Sequence, residues 1–242
     1  MPMLACPRCP PTQGTARRAF LATAFAALTL PSAARALGGL APTSLTPDQA
    51  LARLMEGNQR HLAGAVLRGL PDAAQLHSIT TGQAPFAAIL GCADSRATPE
   101  LLFQAGLGEV FVVRNAGNIA DTGAIGSLEY AVAALGVPLV MVLGHESCGA
   151  AGAALGVAQQ DPPLPGRVRE MVLPMLPAAL AALRQSGNAG GDALDGTVRG
   201  NAIAMAARLV AESPVIGPAV AGGRVKVVAA RLDLHAQRVQ LL

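Results

Sequence analysis

The sequence predicts an α/β fold: a mainly parallel central β-sheet covered by helices, with an N-terminal helical arm and an antiparallel C-terminal edge strand. Three observations carry this. Four near-continuous apolar runs, at residues 86–90, 110–113, 139–143 and 225–230, have the length and aliphatic content of strands buried on both faces. Helical patterns fall between them, which is the βα alternation of a parallel sheet. The composition, 52% hydrophobic and 14% charged over 242 residues, suits one domain with a sizeable core. Aromatics make up only 2% and there is no Trp, so that core must be built from Ala, Val and Leu, with Gly allowing close approach of helix and sheet.

Residues 1–36 read differently from the rest. They hold Arg8, Arg17, Arg18 and Arg35, no acidic residue, and an apolar run over residues 19–30. That run is shorter than the roughly 18 to 20 residues needed to span a bilayer, so no stable membrane insertion is expected. Ala34-Arg35-Ala36 supplies a small-x-small cleavage pattern, and Ala16-Arg17-Arg18-Ala19-Phe20-Leu21 resembles a twin-arginine export signal. The segment is expected to direct export, to the periplasm in a bacterium. The alternative is an incidental basic N-terminus on a cytoplasmic protein. Residues 37–242 then form a single domain. Without the segment, fourteen basic residues face fifteen acidic ones, so the formal charge moves from +3 to −1. A chain with no basic patch and few aromatics to stack bases is not expected to bind nucleic acid.

Along the domain, Thr46-Pro47-Asp48-Gln49 predicts a helix start, with Thr46 as N-cap, Pro47 at the first helical position and Gln49 closing a capping box. Leu51, Leu54, Met55 and Leu62 give this helix an apolar stripe, so it should pack on the body or on a partner subunit. Further helical patterns cover residues 99–103, 124–135, 171–183 and 198–212. Residues 159–166, rich in Pro, and 186–196, rich in Gly, Asn and Asp, read as surface loops. Residues 232–242 can add the hairpin-linked edge strand.

Of four cysteines, Cys6 and Cys9 fall in the N-terminal segment, leaving Cys92 and Cys148. Two thiols in an exported protein suggest a disulfide. Each, however, sits beside another metal donor: Gly91-Cys92-Ala93-Asp94-Ser95-Arg96 and Gly144-His145-Glu146-Ser147-Cys148-Gly149 each follow an apolar run. Thiolate, imidazole and carboxylate are the donors zinc takes from proteins, so Cys92, Asp94, His145 and Cys148 form a complete tetrahedral set, one Zn2+ per chain. A site with three firm ligands and one exchangeable position is the catalytic kind. Asp94 would be the exchangeable donor, because Arg96, two residues on, can clamp its carboxylate off the metal. Zinc lowers the pKa of its bound water from ~15.7 towards ~7, and two thiolates should leave that pKa higher than three imidazoles would, so activity should rise with pH. The alternative is a closed structural zinc, though carboxylate is uncommon in such sets. His61, His77 and His235 stand alone in the sequence and nothing selects one as a proton shuttle.

These two runs resemble the β-class carbonic anhydrase family. The similarity extends to Glu56-Gly57-Asn58-Gln59-Arg60, Arg114-Asn115-Ala116-Gly117-Asn118, Gly126-Ser127-Leu128-Glu129-Tyr130 and Gly222-Gly223, covering about residues 46–242. It implies reversible hydration of carbon dioxide to bicarbonate and a proton, through zinc-bound hydroxide gated by the Asp94–Arg96 dyad. It further implies that Gln83 donates a hydrogen bond to substrate oxygen, and that the chain forms a homodimer or a dimer of dimers with the pocket near the interface. Arg114, Asn115 and Asp121 are expected to be structural, and Glu146 a loop residue. Ala97, Gln104 and Arg231 depart from the family pattern, which more often has valine, an acidic residue and an aromatic there. Alternatives on the same fold are a carbonyl sulfide or carbon disulfide hydrolase, or an inactive zinc-stabilised interaction protein.

Overall fold

A computed structural model describes residues 41–65, 72–189 and 192–242. The export segment expected over residues 1–36, with Cys6 and Cys9, lies outside the described residues. Strands β1 (Ala87–Cys92), β2 (Val110–Asn115), β3 (Leu139–His145), β4 (Lys226–Leu232) and β5 (Val239–Leu241) form one sheet in the order β2-β1-β3-β4-β5. All neighbours pair parallel except β4 with β5, which pair antiparallel. The expected edge strand is therefore present.

Side chains on a strand alternate between its two faces, and here both faces are covered. Ala88, Leu90 and Cys92 of β1 share one core with Val140 and Val142 of β3, whereas Ala87 and Ile89 share the other with Leu139, Met141 and Leu143. Every residue of β1 and β3 is buried, which is why they read as unbroken apolar runs. Edge strand β2 is half-buried.

Helix α1 (Pro47–Leu62) starts as the sequence predicts, with both hydrogen bonds of the Thr46–Gln49 capping box in place and Pro47 inside the first turn. It packs on the body. Ala50 and Leu54 are fully buried, and burying one leucine contributes about 2 kcal/mol to that packing. In the 56–60 motif Gly57 and Asn58 have distinct tasks. A Cβ on Gly57 would stand 2.0 Å from the Phe103 carbonyl oxygen, so only glycine allows the helix to approach that turn. Buried Asn58 donates to the carbonyls of Leu102 (3.1 Å) and Gln237 (3.0 Å) and accepts from the Val239 amide (3.0 Å), tying α1 to the C-terminal hairpin.

Helices α2 (Ala73–Thr81), α3 (Pro99–Leu102), α4 (Thr122–Ala133), α5 (Gly149–Gln160), α6 (Val168–Val172), α7 (Leu176–Ala189), α8 (Ala193–Glu212) and α9 (Ile216–Ala221) complete the described fold. Several differ from the sequence reading. The helix expected over residues 171–183 is α6, a 3₁₀ turn at Leu173–Met175, and α7, broken where Pro174 lacks an amide to continue the ladder. The loop expected at 186–196 shrinks, since α7 runs to Ala189 and α8 begins at Ala193, its N-cap Asp192 accepting from the amides of Leu194 and Asp195. Helix α5 is unanticipated because its sequence, GAAGAALGVAQQ, is apolar almost all round and lacks a periodic polar face. Arg114 and Asn115 are the last residues of β2, not part of the loop after it. Among the described residues no helix is long and apolar enough to cross a membrane.

Candidate metal centre

In an open sheet with this strand order the chain runs from β1 to β2 on one side and then returns to place β3 on the other, so a crevice opens at the C-terminal ends of β1 and β3. Cys92 ends β1, His145 ends β3, and Cys148 is the N-cap of α5 three residues later. Their donor atoms, all buried, lie within 4.8 Å of one another. Neither cysteine forms a disulfide, which disposes of the pairing their number suggested.

Backbone conformation makes the convergence possible. Ser147 adopts φ 53, the left-handed region, and so turns the chain between His145 and Cys148. The Glu146 amide donates to the Leu232 carbonyl (2.9 Å), while its carboxylate accepts from the Leu234 amide (3.0 Å). Glu146 is thus more than a passive loop residue: it fixes the ligand loop to β4 and the turn beyond. On the other side Arg114 donates to the carbonyls of Cys92 (2.8 Å) and Asp94 (2.6 Å), which holds the loop after β1. Asp121 caps α4 through the Ala124 amide (2.8 Å), in keeping with a structural role.

His145 Nδ1 lies 2.8 Å from the carbonyl oxygen of Glu146, an acceptor only. Nδ1 therefore carries the hydrogen, and Nε2 presents its lone pair to the two sulfurs. That Nε2 is buried without a hydrogen-bond partner. An orphaned buried acceptor beside two thiols that form no disulfide is costly unless a cation takes all three, so this donor set fits zinc.

The charges reinforce one another. The hydrogen bond from Cys148 pushes the Cys92 thiol down to about 4, against its burial, and His145 and the Gly117 amide add to the effect. The same bond, with burial, pushes Cys148 up, while the amides of Ala151 and Ala150 at the start of α5 pull the other way. Burial opposes protonation of His145, but the neighbouring Cys92 raises it overall.

Asp94 stands beside this group with Oδ2 3.8 Å from His145 Nε2. It is turned towards Arg96, whose hydrogen bonds hold the carboxyl well below the usual carboxylate range despite its partial burial. Gln83, by contrast, precedes β1 and lines a surface hollow with Ile79, Thr80, Thr81, Gly82, Leu107 and Gly108. Strand β1 alone separates that end of the sheet from Cys92 by about 16 Å. Within one protomer Gln83 lies towards the opposite end of β1 from the Cys92, His145 and Cys148 donors.

A family model described as carbonic anhydrase matches residues 87–239, more than half of the chain. The chain belongs to the β-carbonic anhydrase family. It is thus an enzyme of that class. It is 40% identical over 196 residues to carbonic anhydrase 2 of Mycobacterium tuberculosis, covering 81% of this chain and 92% of the relative. Among solved structures it resembles one of two tetrameric β-carbonic anhydrases from Sordaria macrospora, with a TM-score of 0.60 and 27% identity over 69% of this chain and 85% of that one. A Coccomyxa β-carbonic anhydrase in complex with acetazolamide gives a TM-score of 0.60 and 28% identity over 79% and 86%.

Of the residues expected to depart from the family pattern, Ala97 is buried just after the Ser95–Arg96 turn. Arg231, on β4, is buried and donates to Asp195 (2.6 Å) and Asp233 (3.2 Å), so its charge is held in a salt-bridge network. Gln104 is buried with φ 50. Asn201 and Met205 of α8, which belong to no sequence motif, both reach the loop after β2. Their only sequence signal was a polar and a thioether side chain on an otherwise small-residue helix.

Proposed function

We propose that this chain catalyses reversible hydration of carbon dioxide, CO2 + H2O giving HCO3− and H+, with one zinc held by Cys92, His145 and Cys148. The observation that carries the reading is the buried S, N, S donor triad with Asp94 beside it and turned away onto Arg96. When bound, zinc supplies a Lewis acid that lowers the pKa of a coordinated water from ~15.7 towards ~7. Arg96 keeps Asp94 ionised and off the donor triad. The freed carboxylate, 3.8 Å from His145 Nε2, is placed to accept a hydrogen from the attacking water and so aim its lone pair at the carbon of substrate. Rotation of Asp94 onto the triad would shut the site, which makes the Asp94–Arg96 pair a gate.

The position of Gln83 supports an assembly in which one subunit completes the site of another. In a homodimer, or a dimer of dimers, Gln83 would donate to a substrate oxygen in the partner's crevice. Export through the residues 1–36 segment, and so a periplasmic site of action, belongs to the same proposal.

The test is stopped-flow hydration on the zinc-loaded full chain from about pH 6.5 to 9, a range that brackets the ionisation of a metal-activated water. A rate climbing with pH is expected. A flat baseline in protein shown to hold one zinc per chain would overturn the reading, and release of sulfide from carbonyl sulfide by that same protein would transfer it to the sulfur analogue.

A further inference from the structure

Where the loop after β2 meets the donor triad, the Gly117 amide donates to Cys92 Sγ at 3.3 Å. Gly117 has φ +82, and a Cβ there would stand 2.9 Å from Met175 Sδ and 3.0 Å from the Ala150 Cβ, so neither another residue nor a displaced backbone is accommodated easily. The direction of its N–H depends on how the next peptide group is held. That group is gripped at both ends: the Asn118 amide donates to the Asn115 carbonyl at 3.3 Å, and the Gly117 carbonyl accepts from Asn201 Nδ2 at 2.9 Å.

Asn201 comes from a different layer of the fold. It lies on α8 between Val198, against which a Cβ on Gly144 of β3 would stand 3.0 Å away, and Met205, whose Sδ accepts from the Ala120 amide at 3.3 Å. Residues 198, 201 and 205 share one helix face by their spacing. Asn201 is 1% exposed, and its Oδ1 has no hydrogen-bond partner among the described residues. Burying half an amide unpaired costs stability that an apolar side chain of similar size would not lose. The contact this polar side chain does make is the one that reaches Gly117.

We infer that Asn201 is a positioning residue for the metal centre: by holding the Gly117 carbonyl it keeps the Gly117 amide on Cys92 Sγ, and so sets how much charge that sulfur gives to the metal. A hydrogen bond to a thiolate draws density from the sulfur, and groups that orient or polarise a ligand tune the metal it binds. The inference rests on Cys92 being a zinc ligand.

The experiment replaces zinc by cobalt(II) in the full chain and follows the thiolate-to-cobalt charge-transfer band, together with zinc affinity by chelator competition. In Asn201→Ala and Asn201→Ser, freed sulfur density should move the band to lower energy, and zinc affinity should change by about 10-fold, the scale of lost outer-shell contacts. A loss of general stability alone lowers the melting temperature and leaves the band in place. The serine variant retains a polar group too short to reach Gly117, and carries the test if the alanine variant does not fold. A wild-type band that stays unshifted in a folded variant would overturn the inference alone. A wild-type chain with no thiolate band at all would overturn the zinc reading and this inference with it.

Discussion

Arg96 grips Asp94 with two prongs, Nε to Oδ1 at 2.9 Å and Nη2 to Oδ2 at 2.7 Å, and the Arg96 backbone amide adds a third bond to Oδ1 at 2.9 Å. The same Nη2 reaches the Ser147 carbonyl at 3.3 Å. One guanidinium therefore links the loop after β1 to the loop after β3, and its planar fork allows both contacts at once. Its side chain is 53% exposed, so the pair contributes little to folding and its worth lies in where it puts the carboxylate.

Removing that fork separates the two roles. Arg96→Ala should fold, melt near the wild-type temperature and retain zinc, because none of the three converging donors depends on it. Asp94, no longer restrained, can turn onto the metal, and hydration should fall on the order of 10²-fold, the scale of a lost acid–base group. Turnover within a few-fold of wild type in zinc-replete Arg96→Ala would remove the gate from the mechanism.

Gln83 gives a prediction that depends on assembly. Gln83→Ala should lower kcat/KM by roughly 10-fold, the order of one lost substrate hydrogen bond, with zinc content unchanged. Cys92→Ser subunits, lacking a firm ligand, should be inactive. If Gln83 serves its partner, co-refolding the two inactive or weakened chains in equal amounts produces mixed dimers with one intact site, about a quarter of all sites. Activity measured after mixing should therefore exceed the sum of the separate variants. A strictly additive result would show that Gln83 does not complete a partner subunit's site.

Metal uptake should release protons. In the metal-free protein the hydrogen bond from Cys148 already lowers Cys92 to about 4, so Cys92 is ionised at pH 7, whereas Cys148 is pushed up and keeps its proton. His145 is shifted upward too, its burial being outweighed by the contact with Cys92. Zinc must displace the Cys148 proton, so about one proton is released per metal at neutral pH, and acid must weaken binding progressively. Calorimetry in buffers of different ionisation enthalpy reads the number directly. Uptake with no proton release would mean that Cys148 does not ligate the metal as a thiolate.

The parts of this molecule that were legible in the sequence are those where local chemistry is decisive. Thr46 and Gln49 form a complete capping signal, and buried strands such as β3 declare themselves by unbroken apolar runs. Cys92, Asp94, His145 and Cys148 stood out because their short spacings unite donors of the right kind. What stayed hidden depends on tertiary neighbours. Helix α5 has no polar face to mark its period, and Asn201 lies 84 residues from the carbonyl it holds. The opposite ends of β1 kept Gln83 from Cys92, a consequence of strand direction that no spacing rule reveals.

Arg231 supplies the last prediction, because a buried guanidinium tolerates no loss of its carboxylates. Its side chain is 9% exposed, and Asp195 bridges it, at 2.6 Å, to Arg199, also at 2.6 Å. Burial would raise the Asp195 pKa, but the bonds from Arg199 and Arg231 outweigh it and hold the carboxyl below its ordinary value. A depressed folded pKa means that stability is present above the unfolded value and lost as pH falls through the folded one. Asp195→Asn should therefore destabilise the chain by about 2 kcal/mol at pH 7, the order of a hydrogen bond to a charged group. The difference should shrink as pH falls below about 4, where the unfolded wild-type carboxyl begins to take up its proton. Urea unfolding of both proteins at a series of pH values checks this. A gap that stays constant from pH 7 into the acid range would show that Asp195 acts by packing and not by charge. A narrowing gap, by contrast, would show that the charge of Asp195 on buried Arg231 is what stabilises this side of β4.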